Sequence, residues 1–179
     1  MDDRVVTPYE GTRHATWDAR APIDAPLRLH RTVVAAQWVD YNGHMSESCY
    51  LLVFGDSADA FFRFIGIDDD YRTAGHSLYT AETHLHHRRE VAEGEPVACS
   101  LQLLDHDDRR LHIFHEMTHG ESGMSLAAAE QLLVHVDMAA GRATPMPSIL
   151  LDRLIAIRQA HAALRTPDVV GRPMGIRRG

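Results

Sequence analysis

The most regular pattern of apolar positions in the chain lies between Ser46 and Gly66. Apolar side chains recur there every three or four residues with charged residues between them, as in an amphipathic helix. Ser46 followed by Glu47 suits a helix start, and Gly66 suits a helix end. The pattern predicts a long helix whose wide apolar sector is surrounded by other elements. Its apolar set is Tyr50, Phe54, Ala58, Phe61, Phe62 and Ile65.

Five further segments have the β-branched or alternating composition that predicts strands. One precedes the long helix and four follow it, at about residues 29–39, 77–90, 96–105, 110–119 and 125–137. The last four are joined by short polar turns, as antiparallel hairpins require. A closing helix is predicted at about 148–164, and the acidic stretch at 68–70 is expected to lie in a loop. A single sheet curled around the long helix would bury the apolar faces of both.

These elements predict one α+β domain at residues 28–165. Residues 1–27 contain several prolines without sustained periodicity and predict an irregular arm. Residues 166–179 form a tail rich in arginine, proline and glycine. A curled sheet keeps an exposed edge strand, and pairing across a two-fold axis is the usual way to cover one. We therefore expect a homodimer or a higher homo-oligomer.

The charge balance narrows the possible partners. Acidic residues number 25 against 18 basic ones, so a broad nucleic-acid surface is not expected. Every basic residue is arginine, which excludes lysine Schiff-base chemistry and a P-loop lysine. The chain has no apolar run near the ~18 residues of a membrane span. Its two cysteines form no CxxC pair and its histidines show no metal-ligand spacing. We expect a cytoplasmic protein with no metal site and no membrane contact.

A polar segment precedes the long helix and carries the most specific signal. Its sequence is Val39-Asp40-Tyr41-Asn42-Gly43-His44-Met45. It resembles the motif of hotdog-fold acyl-CoA thioesterases, the 4-hydroxybenzoyl-CoA thioesterase-like superfamily, and departs from it at Ser46, where many relatives carry asparagine. Over about residues 33–164 the chain is most similar to the betainyl-CoA thioesterases of carnitine degradation. Further matching segments are Gly75-His76-Ser77, Glu82-Thr83-His84 and Arg110-Leu111-His112.

The resemblance implies a hotdog fold, with a curled five-stranded antiparallel sheet around the long helix and a C-terminal helix. It implies hydrolysis of betainyl-CoA to glycine betaine and free coenzyme A. No separate cofactor is expected, because coenzyme A is part of the substrate.

The residue types of the motif suit thioester hydrolysis, which needs an activated nucleophile and donors for the developing oxyanion. Asp40 is the candidate general base or nucleophile. The N–H groups of Gly43, His44 and Met45, beside a helix start, are the candidate oxyanion donors. The His44 side chain is a candidate for polarising the carbonyl, or it bonds to local backbone. The alternative for the whole motif is structural, with Asp40 capping the helix and Gly43 making a turn.

Aromatic side chains near the motif are candidates for holding the acyl group. Aromatic faces with a carboxylate form the known type of cage for a quaternary ammonium. Ordinary core packing for the aromatic residues, and a surface ion pair for Glu82, are the alternatives. The candidate substrate-binding residues are Trp38, Tyr41, Asn42, Tyr50, Tyr79 and Glu82.

Three other functions compete with betainyl-CoA hydrolysis. The first is a thioesterase for an uncharged aliphatic or aromatic acyl-CoA. The second is a hotdog enoyl-CoA hydratase; those resemble one another in an Asp with a His five positions on, whereas Asp40 and His44 are four apart. The third is a non-catalytic acyl-CoA binding module. Release of free thiol from a panel of thioesters separates these functions.

Overall fold

The structure, a computed structural model, describes residues 6–176 of the chain. Within that range no helix is both long and apolar enough to cross a lipid bilayer. The strands are β1 (Leu27–Val33), β2 (His76–His87), β3 (Pro96–His106), β4 (Arg110–His119), β5 (Ser125–Asp137) and β6 (Arg142–Ala143). The helices are α1 (Glu47–Ile65), α2 (Asp69–Thr73) and α3 (Ser148–Ala160), the last continued by a 3-10 turn, His161–Ala163.

The five long strands form one antiparallel sheet in the order β1-β3-β4-β5-β2, and the two-residue strand β6 pairs with β5. The sheet curls around α1, and their buried side chains form two apolar clusters. Phe61 and Ile65 of α1 lie in one cluster and Phe54 in the other, each with 0% of its surface exposed. The predicted α+β hotdog architecture with a C-terminal helix is confirmed.

Two local expectations are wrong. The first strand ends at Val33 rather than near residue 39, because a 3-10 turn, Ala36–Trp38, leads the chain off the sheet. The acidic stretch expected in a loop forms the start of α2. The Asp68 carboxylate accepts the Tyr71 N–H at 3.0 Å, which is the hydrogen bond of an N-cap.

The N-terminal arm covers a polar side of α1. Thr7 Oγ1 donates to the Asp59 carboxylate at 2.5 Å, and Arg63 Nε donates to the same carboxylate at 3.0 Å. The Tyr9 hydroxyl contacts His30 Nδ1 at 2.7 Å. Burial, with Asp59 beside it, raises the pKa of Asp56 to about 6. The central helix is therefore enclosed on this side as well as on its apolar sector.

The C-terminal tail lies on the outer face of the sheet, away from α1. The Gly171 N–H donates to both oxygens of the Glu130 carboxylate, at 3.1 and 2.9 Å. His112 Nε2 lies 2.7 Å from the same carboxylate. Residues 171–173 and the outer-face side chains enclose a cavity of about 590 Å³. The last three residues of the predicted tail, 177–179, lie outside the described range.

His115 of β4 is a fully buried titratable group between the sheet and α1. Its Nδ1 lies 3.2 Å from the Ser57 hydroxyl, and its ring packs against Phe54 at 5.7 Å. Burial lowers the pKa of His115 to about 4. The folded protein therefore holds this imidazole neutral at pH values where the unfolded chain takes up a proton.

We predict that His115 makes the fold less stable in acid. As pH falls from 6.5 toward 4, the imidazole binds a proton in the unfolded state but not in the folded state. This difference lowers the free energy of unfolding by on the order of 3 kcal/mol. Burial also lowers the pKa values of His30, His135 and His161, so these residues too make the fold less stable as pH falls. The raised pKa of Asp56 has the opposite effect on stability. Urea unfolding at pH 6.5 and pH 4 measures the loss.

The comparison of His115→Gln with the parent isolates this residue. The variant should lose about 3 kcal/mol less than the parent over the same interval. His14→Gln, on the N-terminal arm, is the matched histidine replacement. Equal losses in parent and His115→Gln would show that the buried imidazole is not the source.

Candidate active site at the start of the central helix

Residues 39–45, called the Asp40 loop below, form a tight hairpin that leads into α1. The Asp40 N–H donates to the His44 carbonyl at 3.0 Å, and the Gly43 N–H donates to the Asp40 carbonyl at 3.0 Å. Gly43 has a φ of 80°, a left-handed conformation that glycine adopts without strain. Val39 and Met45 pair at the base of the hairpin. The loop backbone is thereby held in one conformation.

The Asp40 carboxylate has one oxygen bound within the loop and one available. Oδ1 accepts the Asn42 N–H at 2.8 Å, which forms an Asx turn. Within residues 6–176, Oδ2 accepts no hydrogen bond and the half-buried side chain forms no ion pair. Asp40 does not cap α1: Ser46 occupies the N-cap position, and the Ser46 side chain makes no capping hydrogen bond.

The free N–H groups at this helix start differ from the predicted set. The Gly43 N–H is bound to Asp40, and the Met45 N–H donates to the Val91 carbonyl at 2.9 Å. These two predicted oxyanion donors are therefore occupied, one by the bond that closes the loop and the other by the bond that joins the loop to the segment after β2. Among the described residues, the His44 N–H has no acceptor. In the first turn of α1, the N–H groups of Glu47 and Ser48 have no intrahelical acceptor, and no N-cap side chain accepts a hydrogen bond from them.

The segment after β2 runs beside the Asp40 loop. His44 pairs with Ala92 in an isolated bridge, and His44 Nε2 lies 3.8 Å from the Glu90 carboxylate. The Tyr50 hydroxyl of α1 donates to the Arg89 carbonyl at 3.1 Å. The Tyr50 ring packs edge-on against His87 at 4.9 Å. The helix start, the loop and the end of β2 thus form one surface.

An open groove of about 610 Å³ lies on this surface. Arg88 is neutralised there, since its guanidinium donates to the Glu116 carboxylate at 2.8 Å. Arg89 donates to the Ser125 carbonyl at 3.0 Å and forms no ion pair among the described residues. It is therefore the available cation of the groove. The lining residues are His87, Arg88, Arg89, Glu90 and Met124.

Some of the predicted substrate-binding residues lie at this surface. Trp38 packs half-buried beside Met45 and Tyr50 in the apolar cluster under the loop. Tyr41 and Asn42 stand exposed at the loop tip, with Tyr41 97% exposed. Tyr50 is 4% exposed and its hydroxyl is bound. Its ring is therefore a core element, the alternative given for it above.

The structure does not bring Tyr79 and Glu82 to the loop within one chain. Both lie on β2, opposite Val134 and Leu132 on the outer face of the sheet. The inner face is marked by Thr83, whose hydroxyl accepts a hydrogen bond from buried Gln131. Tyr79 is also eight residues before His87, roughly 25 Å along the strand. One chain alone therefore does not place Tyr79 and Glu82 in a cage with the loop residues, and their part in substrate binding stays a prediction.

The described residues contain no group of three or more His, Cys, Asp or Glu side chains arranged to hold a metal ion. On β2, His84 Nε2 lies 2.8 Å from Glu82 Oε1. Glu82, His84 and His86 share the outer face, as their spacing predicts.

The family follows from a direct comparison of the sequence. The model of the thioesterase-like superfamily matches residues 34–154, which include the Asp40 loop, α1 and all of β2 to β5. The chain belongs to the thioesterase-like superfamily.

Within this superfamily, two kinds of relative resemble the chain. A Rhizobium L-carnitine dehydrogenase/betainyl-CoA thioesterase is 48% identical over 153 residues, which are 86% of this chain and 31% of that protein. The betainyl-CoA thioesterase of Pseudomonas aeruginosa is 45% identical over 151 residues, 84% of this chain and 95% of that protein. The chain thus spans about a third of the two-activity relative.

A solved structure shows the same fold. A Staphylococcus aureus protein in complex with CoA superposes with a TM-score of 0.81 at 22% identity, covering 89% of this chain and 100% of that one.

Sequence reasoning missed Glu47, Ser48 and Glu90 at this surface. Glu47 and Ser48 matter through their backbone N–H groups, which a sequence pattern does not distinguish from neighbouring ones. Glu90 approaches His44 because the residues after β2 cross the loop, and no local periodicity signals that crossing. A helix N-cap without a capping bond is a structural signal for the first two.

Proposed function

We propose that this protein is an acyl-CoA thioesterase that hydrolyses betainyl-CoA to glycine betaine and free coenzyme A. The substrate assignment is supported by the similarity to the P. aeruginosa betainyl-CoA thioesterase along nearly its whole length. The observation that supports this chemistry is that Asp40 has a free carboxylate oxygen and that α1 begins without a side-chain cap. Free thiol released from betainyl-CoA, measured with a thiol reagent, is the direct test of this function.

In the proposed reaction, Asp40 Oδ2 either removes a proton from a water that attacks the thioester carbonyl, or attacks that carbonyl itself to form a mixed anhydride that water then hydrolyses. In both routes the carbon–sulfur bond breaks and coenzyme A leaves as the thiolate, which takes up a proton. The oxyanion that forms accepts hydrogen bonds from the free N–H groups of His44, Glu47 and Ser48. The partial positive charge of the α1 start adds to this stabilisation. Glu90, 3.8 Å from His44 Nε2, orients the imidazole at the carbonyl.

For coenzyme A we propose the groove beside the loop. The guanidinium group of arginine suits a phosphate, because its N–H groups can donate to two phosphate oxygens at once. Arg89 has no carboxylate partner among the described residues, whereas Arg88 is bound to Glu116. Arg89 is therefore the proposed phosphate contact.

For the acyl group we propose Trp38 and Tyr41 as the aromatic contacts that one chain provides. Three carboxylates belong to the same surface: Asp40 in the loop, Glu47 in the first helical turn and Glu90 across from His44. This combination suits the trimethylammonium group of a betainyl thioester.

We also propose that the enzyme acts as a homodimer in the cytoplasm. Strand β2 ends the sheet with an unpaired edge, which a second copy would cover. Cys49 and Cys99 are both free thiols, consistent with a reducing compartment.

We predict that Asp40→Asn lowers turnover of betainyl-CoA by roughly 10²–10⁴ while the fold persists. Asparagine keeps an acceptor for the Asn42 N–H, so the Asx turn survives and only the carboxylate chemistry is lost. Turnover and thermal unfolding of the same preparation measure the two effects. Asp18→Asn is a matched control, because Asp18 accepts the Arg20 N–H at 2.9 Å in the same kind of turn. Retained activity with lower stability would make Asp40 a structural residue.

We predict that Arg89→Gln raises KM for betainyl-CoA about tenfold or more, the effect of losing a charge-assisted hydrogen bond. The N-acetylcysteamine thioester of betaine lacks the phosphates, so its kcat/KM should be unchanged. Arg158→Gln, on the exposed side of α3, controls for general loss of positive charge. An equal loss with both thioesters would place Arg89 in the chemistry or the fold rather than at the phosphates.

We predict a preference for betainyl-CoA over 3,3-dimethylbutanoyl-CoA, in which carbon replaces the quaternary nitrogen. An apolar pocket would favour the neutral compound, because the cation costs more to desolvate. Two cation–π contacts would reverse this order by on the order of 1–4 kcal/mol, or roughly fivefold to a thousandfold in kcat/KM. Each rate is divided by that of hydroxide-catalysed hydrolysis, since the cation also activates the thioester. Equal normalised rates would point to the uncharged-acyl alternative.

A further inference from the structure

The segment between β2 and β3 meets the Asp40 loop without regular structure. β2 ends at His87, and residues 88–91 belong to no helix or strand. Two of these residues have proposed roles, Arg89 at the coenzyme phosphates and Glu90 beside His44. Both roles require that the backbone of the segment keep one position, although no regular strand pairing holds it there.

Hydrogen bonds at three places hold this backbone. At the start of the segment, two consecutive N–H groups donate to the Leu126 carbonyl, at 2.9 and 3.0 Å. At its end, the Val91 carbonyl accepts the Met45 N–H of the Asp40 loop at 2.9 Å. Between these two places, the Arg89 carbonyl accepts the Tyr50 hydroxyl at 3.1 Å. The middle bond is the only one of the three that depends on a side chain.

This middle bond is the one that restrains Glu90. Within residues 6–176, the backbone of Glu90 makes no hydrogen bond, and the Tyr50 hydroxyl is the only donor to the Arg89 carbonyl. That carbonyl belongs to the peptide group that joins Arg89 to Glu90. Without its donor, the dihedral angles on either side of this peptide group are free to change. The directions of the Arg89 and Glu90 side chains would then change with them.

The Tyr50 hydroxyl is itself held in one place. Tyr50 is the fourth residue of α1, is 4% exposed and lies in the apolar cluster that also contains Met45 and Val91. Its ring packs edge-on against His87 at 4.9 Å. Burial, with a further effect from the Glu90 carboxylate, raises the pKa of Tyr50. The phenol therefore keeps its proton and remains a donor.

We propose that Tyr50 is a positioning residue, whose hydroxyl fixes the peptide group between Arg89 and Glu90 and thereby the directions of both side chains. This inference rests on the roles of Arg89 and Glu90 in the proposed function. Tyr50 acts through these two residues rather than on the substrate. A ring that served only to pack the core would have neither effect.

The first test uses Tyr50→Phe, which keeps the ring in the apolar cluster and removes only the hydroxyl. KM for betainyl-CoA should rise about fivefold, the effect of losing one hydrogen bond. In an Arg89→Gln background the same change should raise KM less than twofold, because Tyr50 acts on KM through Arg89. Tyr71→Phe is the matched control and should leave KM unchanged. The Tyr71 hydroxyl lies 2.7 Å from His135 Nε2, and neither residue lines the groove.

A second comparison tests the effect through Glu90. It uses the N-acetylcysteamine thioester of betaine, which lacks the phosphates and so does not report on Arg89. Tyr50→Phe should lower kcat/KM for this compound about fivefold in the parent and less than twofold in a Glu90→Gln background. The same factor in both backgrounds would show that Tyr50 does not act through Glu90.

Limited proteolysis measures the position of the segment without any substrate. Trypsin cleaves after arginine, so the bond between Arg89 and Glu90 is a cleavage site within the peptide group that Tyr50 holds. Cleavage requires the segment to leave its place. Tyr50→Phe should therefore be cut at this bond at least fivefold faster than the parent or Tyr71→Phe, as followed by mass spectrometry of the fragments.

The outcomes separate this inference from the proposed function. Equal cleavage of the parent and Tyr50→Phe, or a KM change of the same factor with and without Arg89, would overturn the positioning role. Arg89→Gln without an effect on KM would instead contradict the proposed phosphate contact. Faster cleavage of Tyr50→Phe would even then show that the hydroxyl holds the segment.

Discussion

The enclosure of α1 by the curled sheet is the constraint on which the rest of the structure depends. Phe54, Phe61 and Ile65 have no exposed surface, and burial of this kind contributes roughly 1.5–3 kcal/mol for each side chain. A helix packed against the sheet on one side and the N-terminal arm on another cannot slide along its axis or rotate without opening the core. Its first turn is therefore fixed in space, and with it the direction of the N–H groups that face the Asp40 loop.

Enclosure also forces the polar groups of α1 to find partners. Arg63 bridges Asp59 and Asp69, which ties α1 to α2, and Ser57 contacts the buried His115. Asp56 has no hydrogen bond among the described residues and instead has a raised pKa. Such groups contribute less than apolar contacts, but each limits the orientations that the helix can take.

The elements could be predicted because their signals are local. The apolar spacing from Tyr50 to Ile65 and the alternation in β3 to β5 depend on neighbouring residues only. The composition of the site was harder to predict because it depends on distant contacts. Val91 takes the N–H of Met45, and Glu90 meets His44, across more than forty residues of sequence.

Tyr79 shows how one residue can invalidate a sound pattern. Counted in steps of two from Thr83, which faces inward, Tyr79 would also face inward. The bulge between Thr80 and Glu82 adds one residue, and a shift of one residue exchanges the two faces of a strand. Glu82, His84 and His86 lie after the bulge, so their shared face was correctly predicted from the spacing.

The chemistry of the loop is determined by which groups its own hydrogen bonds leave free. Closing the hairpin uses the N–H groups of Asp40, Asn42 and Gly43 and one carboxylate oxygen, and the contact with Val91 uses the N–H of Met45. It leaves Asp40 Oδ2, the His44 N–H and the first N–H groups of α1. An acceptor and several donors thus remain on a backbone that has no freedom to pair them with each other. Unpaired groups held in place need no reorganisation when charge develops on a substrate, and this is the physical basis of electrostatic catalysis. The bonds that make the loop rigid therefore also define its reactive groups.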